Sequence, residues 1–398
     1  MMFDPKEHEP LTKAPFDALA AQTFVREVVR ATDVAFDPVR GWPLHPEDRS
    51  ADESTGYAGV YCGAAGTMWA LASLARSCGL KLRHNYANAI IECEERYRSK
   101  PADTSMAVVP SYFLGTVGIM LARYVLTGDR ATLHRIVADM RANLRNPTRE
   151  VLWGSPGTAI AGVLIRERDD DHRFDDVLRA VQDELWETWE PFHDDGGLLW
   201  EQDMYGQRRR YIGAGHGAIG NLTPFLGAMN LLSTERRAVL RERIAALLEA
   251  YVVRDGDAAN WYSLGEPRFG VRMQWCHGAP GVIIGLARYP ADDNRIETLL
   301  VQGGNGIWKA GPLRKGPTLC HGTAGNGFAF LRLAERTGDD TWLHRAQSFA
   351  AHAMDQVVAW RAMFGMPSFS LWTGELGVAL YVDAVLRRDP RLLTLDSS

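Results

Sequence analysis

Two stretches of this chain set a cysteine beside a histidine at the edge of a glycine turn: QWCHGAPG at 274–281 and GPTLCHGTAGNG at 316–327. Cys276, Cys320 and His321 offer two sulfurs and an imidazole nitrogen, donors that borderline-soft Zn2+ favours. Three protein donors leave the fourth tetrahedral position open, as a catalytic site requires. The alternative is two core cysteines and a satisfied histidine. A third turn, GAGHGAIG at 213–220, carries His216 with no neighbouring cysteine, which suits a proton carrier better than a metal ligand. His277, beside Cys276, could be a fourth ligand, a substrate contact or a packed loop residue. Arg314 and Lys315, just before Cys320, would suit an anionic substrate group, although a solvated loop explains them equally well.

What positions these residues is a repeat. Turns of the form G-x-x-G begin at Gly63, Gly115, Gly154, Gly217, Gly278, Gly322 and Gly374, and each runs into an apolar segment of helical period such as TMWALASLA or NGFAFLRLA. Between them lie amphipathic segments such as FDDVLRAVQDELWETW and ERRAVLRERIAALLEAYV, and FDALAAQTFVREVVRATDV precedes the first turn. The unit is therefore an amphipathic helix, a loop, a glycine turn and an apolar helix, seven times over. An inner ring of apolar helices inside an outer amphipathic ring buries everything as one core. The predicted fold is all-α, an α/α toroid of about 14 helices, with residues 1–398 as one domain and residues 1–15 as an N-terminal extension. Strand signals are sparse; short β pieces in longer loops, such as GGLLWEQD, remain compatible with this.

Register turns sequence distance into proximity, because repeats in one orientation gather equivalent positions at one mouth. Two before the first glycine stand Tyr61, Phe113, Leu152, Gly215, Cys276, Cys320 and Trp372; one before stand Cys62, Leu114, Trp153, His216, His277, His321 and Thr373. Cysteine and histidine thus crowd the mouth in neighbouring repeats four, five and six. Four before the first glycine, Glu150 is the only carboxylate at its register, placed to orient His216 or raise its pKa, unless it is merely a solvated loop acid.

Composition narrows the function class. A net charge of -5 and a pI near 6.1, with only the short QRRRY cluster at 207–211, argue against nucleic acid as a partner. The acidic start MMFDPKEHEP is unlike a signal peptide, and no run of eighteen apolar residues offers a membrane span, so a soluble cytoplasmic protein is expected. Five cysteines, an odd number, fit reduced thiols better than a disulfide framework.

YIGAGHGAIGN, QWCHGAPGV and LRKGPTLCHGTAGNGFAF resemble the motifs of the lanthionine synthetase C-like (LanC-like) family, and with the seven turns the resemblance spans nearly the whole chain. The resemblance implies an α/α toroid with Cys276, Cys320 and His321 as zinc ligands, and matches His216 and Glu150 to the family's histidine and acid. It implies addition of a thiol to the β-carbon of dehydroalanine or dehydrobutyrine in a peptide or protein, with protonation at the α-carbon, a step His216 would perform with support from Glu150. In lanthipeptide cyclases the thiol is a cysteine of the same peptide; in stand-alone, eukaryotic-type members it is glutathione. The wording here is closer to the second group, whose glutathione-contacting lysine corresponds to Lys315, although residues 1–15 lack the arginine found there and Thr373 stands where an acid is usual. A partner dehydratase or kinase belongs with this expectation. Other readings are a noncatalytic, zinc-stabilised module binding a peptide or kinase, and a carbohydrate-active toroid, whose paired acids the mouth register does not supply.

Overall fold

Every one of the seven turns starts a helix. The computed structural model describes residues 1–48, 57–99, 108–191, 198–265 and 268–397. The helices that follow the turns are α2 (Ala64–Ser77), α4 (Thr116–Thr127), α6 (Ser155–Asp169), α8 (Ala218–Asn221) continued by α9 (Thr223–Gly227), α11 (Ala279–Gly285), α13 (Thr323–Thr337) and α15 (Glu375–Arg387). The alternating helices are α1 (Ala18–Val34), α3 (Tyr86–Arg98), α5 (Ala131–Ala142), α7 (Asp175–Glu187), α10 (Thr234–Tyr251), α12 (Asn294–Ala310) and α14 (Asp340–Phe364). The first set packs side by side from α2 round to α15, which meets α2 again, while α1 lies across α15 and α2 and closes the outer ring. The inner helix of the fourth repeat is broken, with Leu222 between its two pieces and Pro224, which has no N–H to give, in the first turn of α9.

The glycine pattern has one physical cause. The first glycine of each turn is the N-cap, and none of the seven caps uses a side chain. Instead, the preceding loop folds over the helix start and its carbonyls accept the orphan N–H groups: Ala218, Ile219 and Gly220 donate to Tyr211, Ile212 and Gly213, and Thr323, Ala324 and Gly325 to Gly316, Pro317 and Thr318. The loop lies so close that a Cβ on the second glycine would meet a carbonyl oxygen six residues back, at 1.8 Å for Gly118 and Gly157 and 1.9 Å for Gly325. Only glycine allows that approach.

Strand content exceeds the sequence expectation. Short β1 (Glu190–Pro191) and β2 (Leu198–Leu199) pair, as do β3 (Gln202–Met204) and β4 (Gln207–Arg209), and β5 (Val252–Asp255), β6 (Ala258–Gly265) and β7 (Arg268–Val271) form an antiparallel sheet. The β3–β4 hairpin turns through Tyr205 and Gly206, both at positive φ (53° and 72°). GGLLWEQD falls partly on these strands, while its two glycines lie outside the described residues.

Residues 1–15 run as a strap along the loop before Cys320. Met2 is buried and its carbonyl accepts from Asn260, Glu9 N–H donates to Pro312, Arg314 N–H donates to Glu7, and His8 Nδ1 donates to Gly311 at 2.9 Å. Glu9 is fixed from α14: its carboxylate accepts from His352 Nε2 at 2.9 Å and Gln356 at 2.8 Å, while His352 Nδ1 accepts from Thr12 N–H. Among the described residues no helix is long and apolar enough to cross a membrane.

Candidate functional site

The loops that cap the inner helices also bond to one another across the mouth. At the position two before the first glycine, Gly215 N–H donates to Cys276, Cys276 to Cys320, Cys320 to Trp372, Trp372 to Tyr61 and Tyr61 to Phe113, at 2.9–3.3 Å. Six of the seven repeats thus form a head-to-tail chain. In the third repeat the equivalent N–H, that of Leu152, donates to its own loop's Glu150 Oε2 at 3.0 Å instead.

On the chain's closed side, Cys276 and Cys320 sit buried on adjacent loops and share a hydrogen bond. Gly215 leaves room for them, since a Cβ there would come within 2.7 Å of Cys276 Cβ. The Cys276 thiol is brought down to about 7, chiefly by its bond to Cys320, with His216, the Gln274 amide (Nε2 to sulfur 2.9 Å) and Lys315 also favouring the thiolate against burial. Cys320 moves far the other way, because burial and the neighbouring sulfur both oppose a second negative charge, although the Tyr61 phenol donates to it. Trp275 and Trp372, 4.3 Å apart, pack with Tyr61 as an aromatic floor.

At the break stands Glu150, 0 % exposed. Its carboxylate accepts from Leu152 N–H, from Trp153 N–H at 2.5 Å and from His216 Nδ1 at 3.0 Å. Burial works against the imidazolium of His216, but the bond to Glu150 and its charge more than offset this, so the pKa is raised. The carboxylate fixes Nδ1 as the protonated nitrogen and leaves Nε2 for exchange. His277 lies beside His216, ring centres 6.0 Å apart, with Tyr211 completing an aromatic triangle. Burial, His216 and Arg272 push His277 down to about 3, so it is neutral, and its Nδ1 is buried without a partner.

The sequence-predicted residues are gathered unequally. Glu150 and His216 meet, Cys276 and Cys320 meet, and His277 borders both pairs. Lys315 is exposed on the loop before Cys320, and its charge acts on Cys276, Cys320 and His321. Arg314, by contrast, turns to the strap and donates to the His8 carbonyl at 3.0 Å. Arg272 is the cation that reasoning from sequence passed over: its charge acts on both His277 and His321. The signal for it was a basic residue shortly before Cys276, mirroring Lys315 before Cys320. Gln274 and Tyr61, which touch the sulfurs, occupy registers already in view but are not residue types read as reactive.

Among the described residues, no three histidine, cysteine, aspartate or glutamate side chains converge closely enough to hold a metal ion as they stand. The donor chemistry nevertheless fits zinc. Two thiols are in contact, one of them easily deprotonated, and burial with the charges of Lys315 and Arg272 brings the adjacent His321 down to about 4, keeping its imidazole neutral and able to donate a lone pair. A cavity of about 1060 Å3 lies elsewhere, lined by Trp42, Asp48, Cys62, Thr67 and Ser370 and by none of the predicted site residues.

Fold and mouth define a class: a double ring of helices whose inner-helix loops converge on a thiol pair and a carboxylate-held histidine. The chain belongs to the lanthionine synthetase C-like protein family, whose model matches residues 48–394. It is similar to the glutathione S-transferase LANCL1 of zebrafish (Danio rerio), 27% identical over 227 residues, which are 52% of this chain and 51% of that protein. It is also similar to the LanC-like protein GCL1 of Arabidopsis thaliana, 34% identical over 131 residues, 31% of this chain and 30% of that one. The matches therefore span about half, or less, of these relatives. Nisin cyclase has the same fold: it superposes with a TM-score of 0.59 over 92% of this chain and 99% of its own, at 14% identity.

Proposed function

We propose that this protein adds a thiol to dehydroalanine or dehydrobutyrine residues of a peptide or protein, with zinc held by Cys276, Cys320 and His321. The observation that carries the reading is the Glu150–His216 pair, a buried carboxylate bonded to an imidazole of raised pKa, whose charge reaches the Cys276 thiol across the mouth. Zinc, when bound, would lower the pKa of an incoming thiol and hold its sulfur as the nucleophile. His321, next to Cys320, would complete the set. Lys315, with Arg272, attracts a carboxylate of the thiol, while His277, neutral and with a free Nδ1, offers a polar contact to the acceptor's backbone. The carbon–sulfur bond forms at the β-carbon as the carbon–carbon double bond opens. His216 Nε2 delivers a proton to the α-carbon, Glu150 stabilises the imidazolium beforehand, and the proton lost from the thiol restores it. The balance is addition without a leaving group.

Glutathione is the favoured thiol, because a relative carries that name and because Lys315 matches an anionic, freely diffusing thiol. An internal cysteine, as in a lanthipeptide cyclase, is the second candidate; the nisin cyclase likeness concerns shape alone. None of the five cysteines is in a disulfide, which suits a reducing cytoplasmic setting, and a dehydratase or kinase that generates the acceptor would be the natural partner. The test is consumption of a dehydroalanine peptide with and without zinc, using glutathione and, separately, a cysteine within the peptide. Zinc bound but no addition with either thiol overturns the reading in favour of a binding module.

A further inference from the structure

The β3–β4 hairpin is attached to the imidazole half of the mouth. Asp203 N–H donates to Pro147, Tyr211 N–H donates to the Gln202 side chain, and Gly265 N–H donates to Arg210, so both strands are tied down at their bases. The turn between them is unusual. A two-residue turn with positive φ at both positions favours Asn-Gly or Gly-Gly, yet its first residue is Tyr205 at φ 53°. That tyrosine is 77% exposed, but it is not loose: its hydroxyl accepts a 2.9 Å hydrogen bond from Trp153 Nε1, and the backbone N–H of the same Trp153 holds Glu150. Burial of its hydroxyl end raises the phenol's pKa, the Trp153 bond opposes this, and the charge of Glu150 adds to it. A large aromatic ring is thus kept in water, on a strained backbone, pinned to the wall that carries the proton-donating pair. Turn propensity does not account for it, and a bulky residue held at positive φ is the kind of backbone outlier from which a function is inferred.

We propose that Tyr205 is a lip over the His216 side of the mouth, against which the acceptor polypeptide lies when its dehydroamino acid enters. This rests on the thiol-addition reading above. The occupant follows from the division of the mouth. The thiol belongs with Cys276, Cys320 and Lys315, so what passes His216 must be the chain bearing the α-carbon, and an aromatic ring fixed at one end recognises a polypeptide by stacking on its backbone and side chains at little entropic cost. The small thiol has no reason to touch it.

Two substitutions separate the contact from the fold. Tyr205→Gly removes the ring and suits the positive φ, so the hairpin is kept or stabilised; Tyr205→Phe keeps the ring and loses only the tether to Trp153. Two readouts are taken on each: KM for a dehydroalanine peptide and for glutathione, and fluorescence anisotropy of a labelled, unreactive alanine counterpart of that peptide. Tyr205→Gly is expected to raise the peptide KM about tenfold with the glutathione KM unmoved, to weaken anisotropy binding in parallel, and Tyr205→Phe to fall between. Addition by the unchanged protein with equal peptide KM and binding in Tyr205→Gly overturns the lip and leaves thiol addition standing. No addition, but peptide binding that Tyr205→Gly weakens, supports the lip and removes thiol addition. Neither addition nor peptide binding overturns both.

Discussion

The two halves of the mouth use the same glycine turn in opposite ways. On the thiol half, the loops of Cys276, Cys320, Trp372 and Tyr61 are bonded backbone to backbone, and the strap clamps the loop before Cys320 from outside. Each sulfur is therefore placed by main chain. On the imidazole half the chain of bonds stops at Phe113, and in the third repeat a side chain, Glu150, takes the Leu152 N–H that would have gone to the next loop, and that of Trp153 besides. Leaving the third repeat out of the chain lets a buried carboxylate reside where six other repeats have none, and that carboxylate also accepts from His216. One half is built by repetition; the other departs from it.

Four changes test this division, from the largest effect to the smallest. Cys320→Ala should abolish turnover to background and remove bound zinc, which metal analysis reads directly; retention of zinc would show that the thiol half is not the metal half. His216→Ala should lower kcat by about 10²–10⁴ with zinc retained, and loss of the metal as well would erase the boundary between halves. Glu150→Gln sharpens the same point through pH. Glu150 raises the His216 pKa, and the acid form works below that pKa, so the neutral amide should move the alkaline limb of the kcat profile to lower pH; an unmoved limb would detach Glu150 from proton transfer.

The smallest change lies in the shared frame. Glu94 of α3, buried, accepts from Arg98 at 2.9 Å and Arg123 at 3.0 Å and also pairs with Arg135. Burial opposes its charge, but the three guanidiniums outweigh it and lower its pKa. Its contribution is thus present above its ordinary pKa of 4.5 and lost as pH falls through the lowered value. Glu94→Gln should cost about 2 kcal/mol in denaturant unfolding at pH 7, with the gap closing in acid and both halves of the mouth equally active in the folded fraction.

The ring was legible because its cause is local and repeated: each second glycine answers a carbonyl six residues back, so the same constraint is written seven times. Cys276, Cys320, His216 and Glu150 could be placed because register alone brings them to one mouth. Other features left no such trace. Arg314 and Lys315 are adjacent in sequence, but the strap captures Arg314, and nothing local announces that residues 7–9 return to 311–314. The eight residues of β6 alternate weakly, being buried at six positions, so they lack the period that marks a half-wet strand. Tyr205 is visible only once its φ and its partner are known.

Ring closure carries a consequence for how the protein comes into being. α1 finds its companion in α15, and Glu9 finds His352 only after 343 residues. The loss of chain entropy grows only with the logarithm of such a span, so the finished protein is little weakened by it, but contacts this distant in sequence slow the search for the native state. During synthesis, the first helices emerge with their inward faces wet and their neighbours not yet made. The thiol loop, anchored to residues made about 300 positions before it, becomes orderly only at the end of that wait.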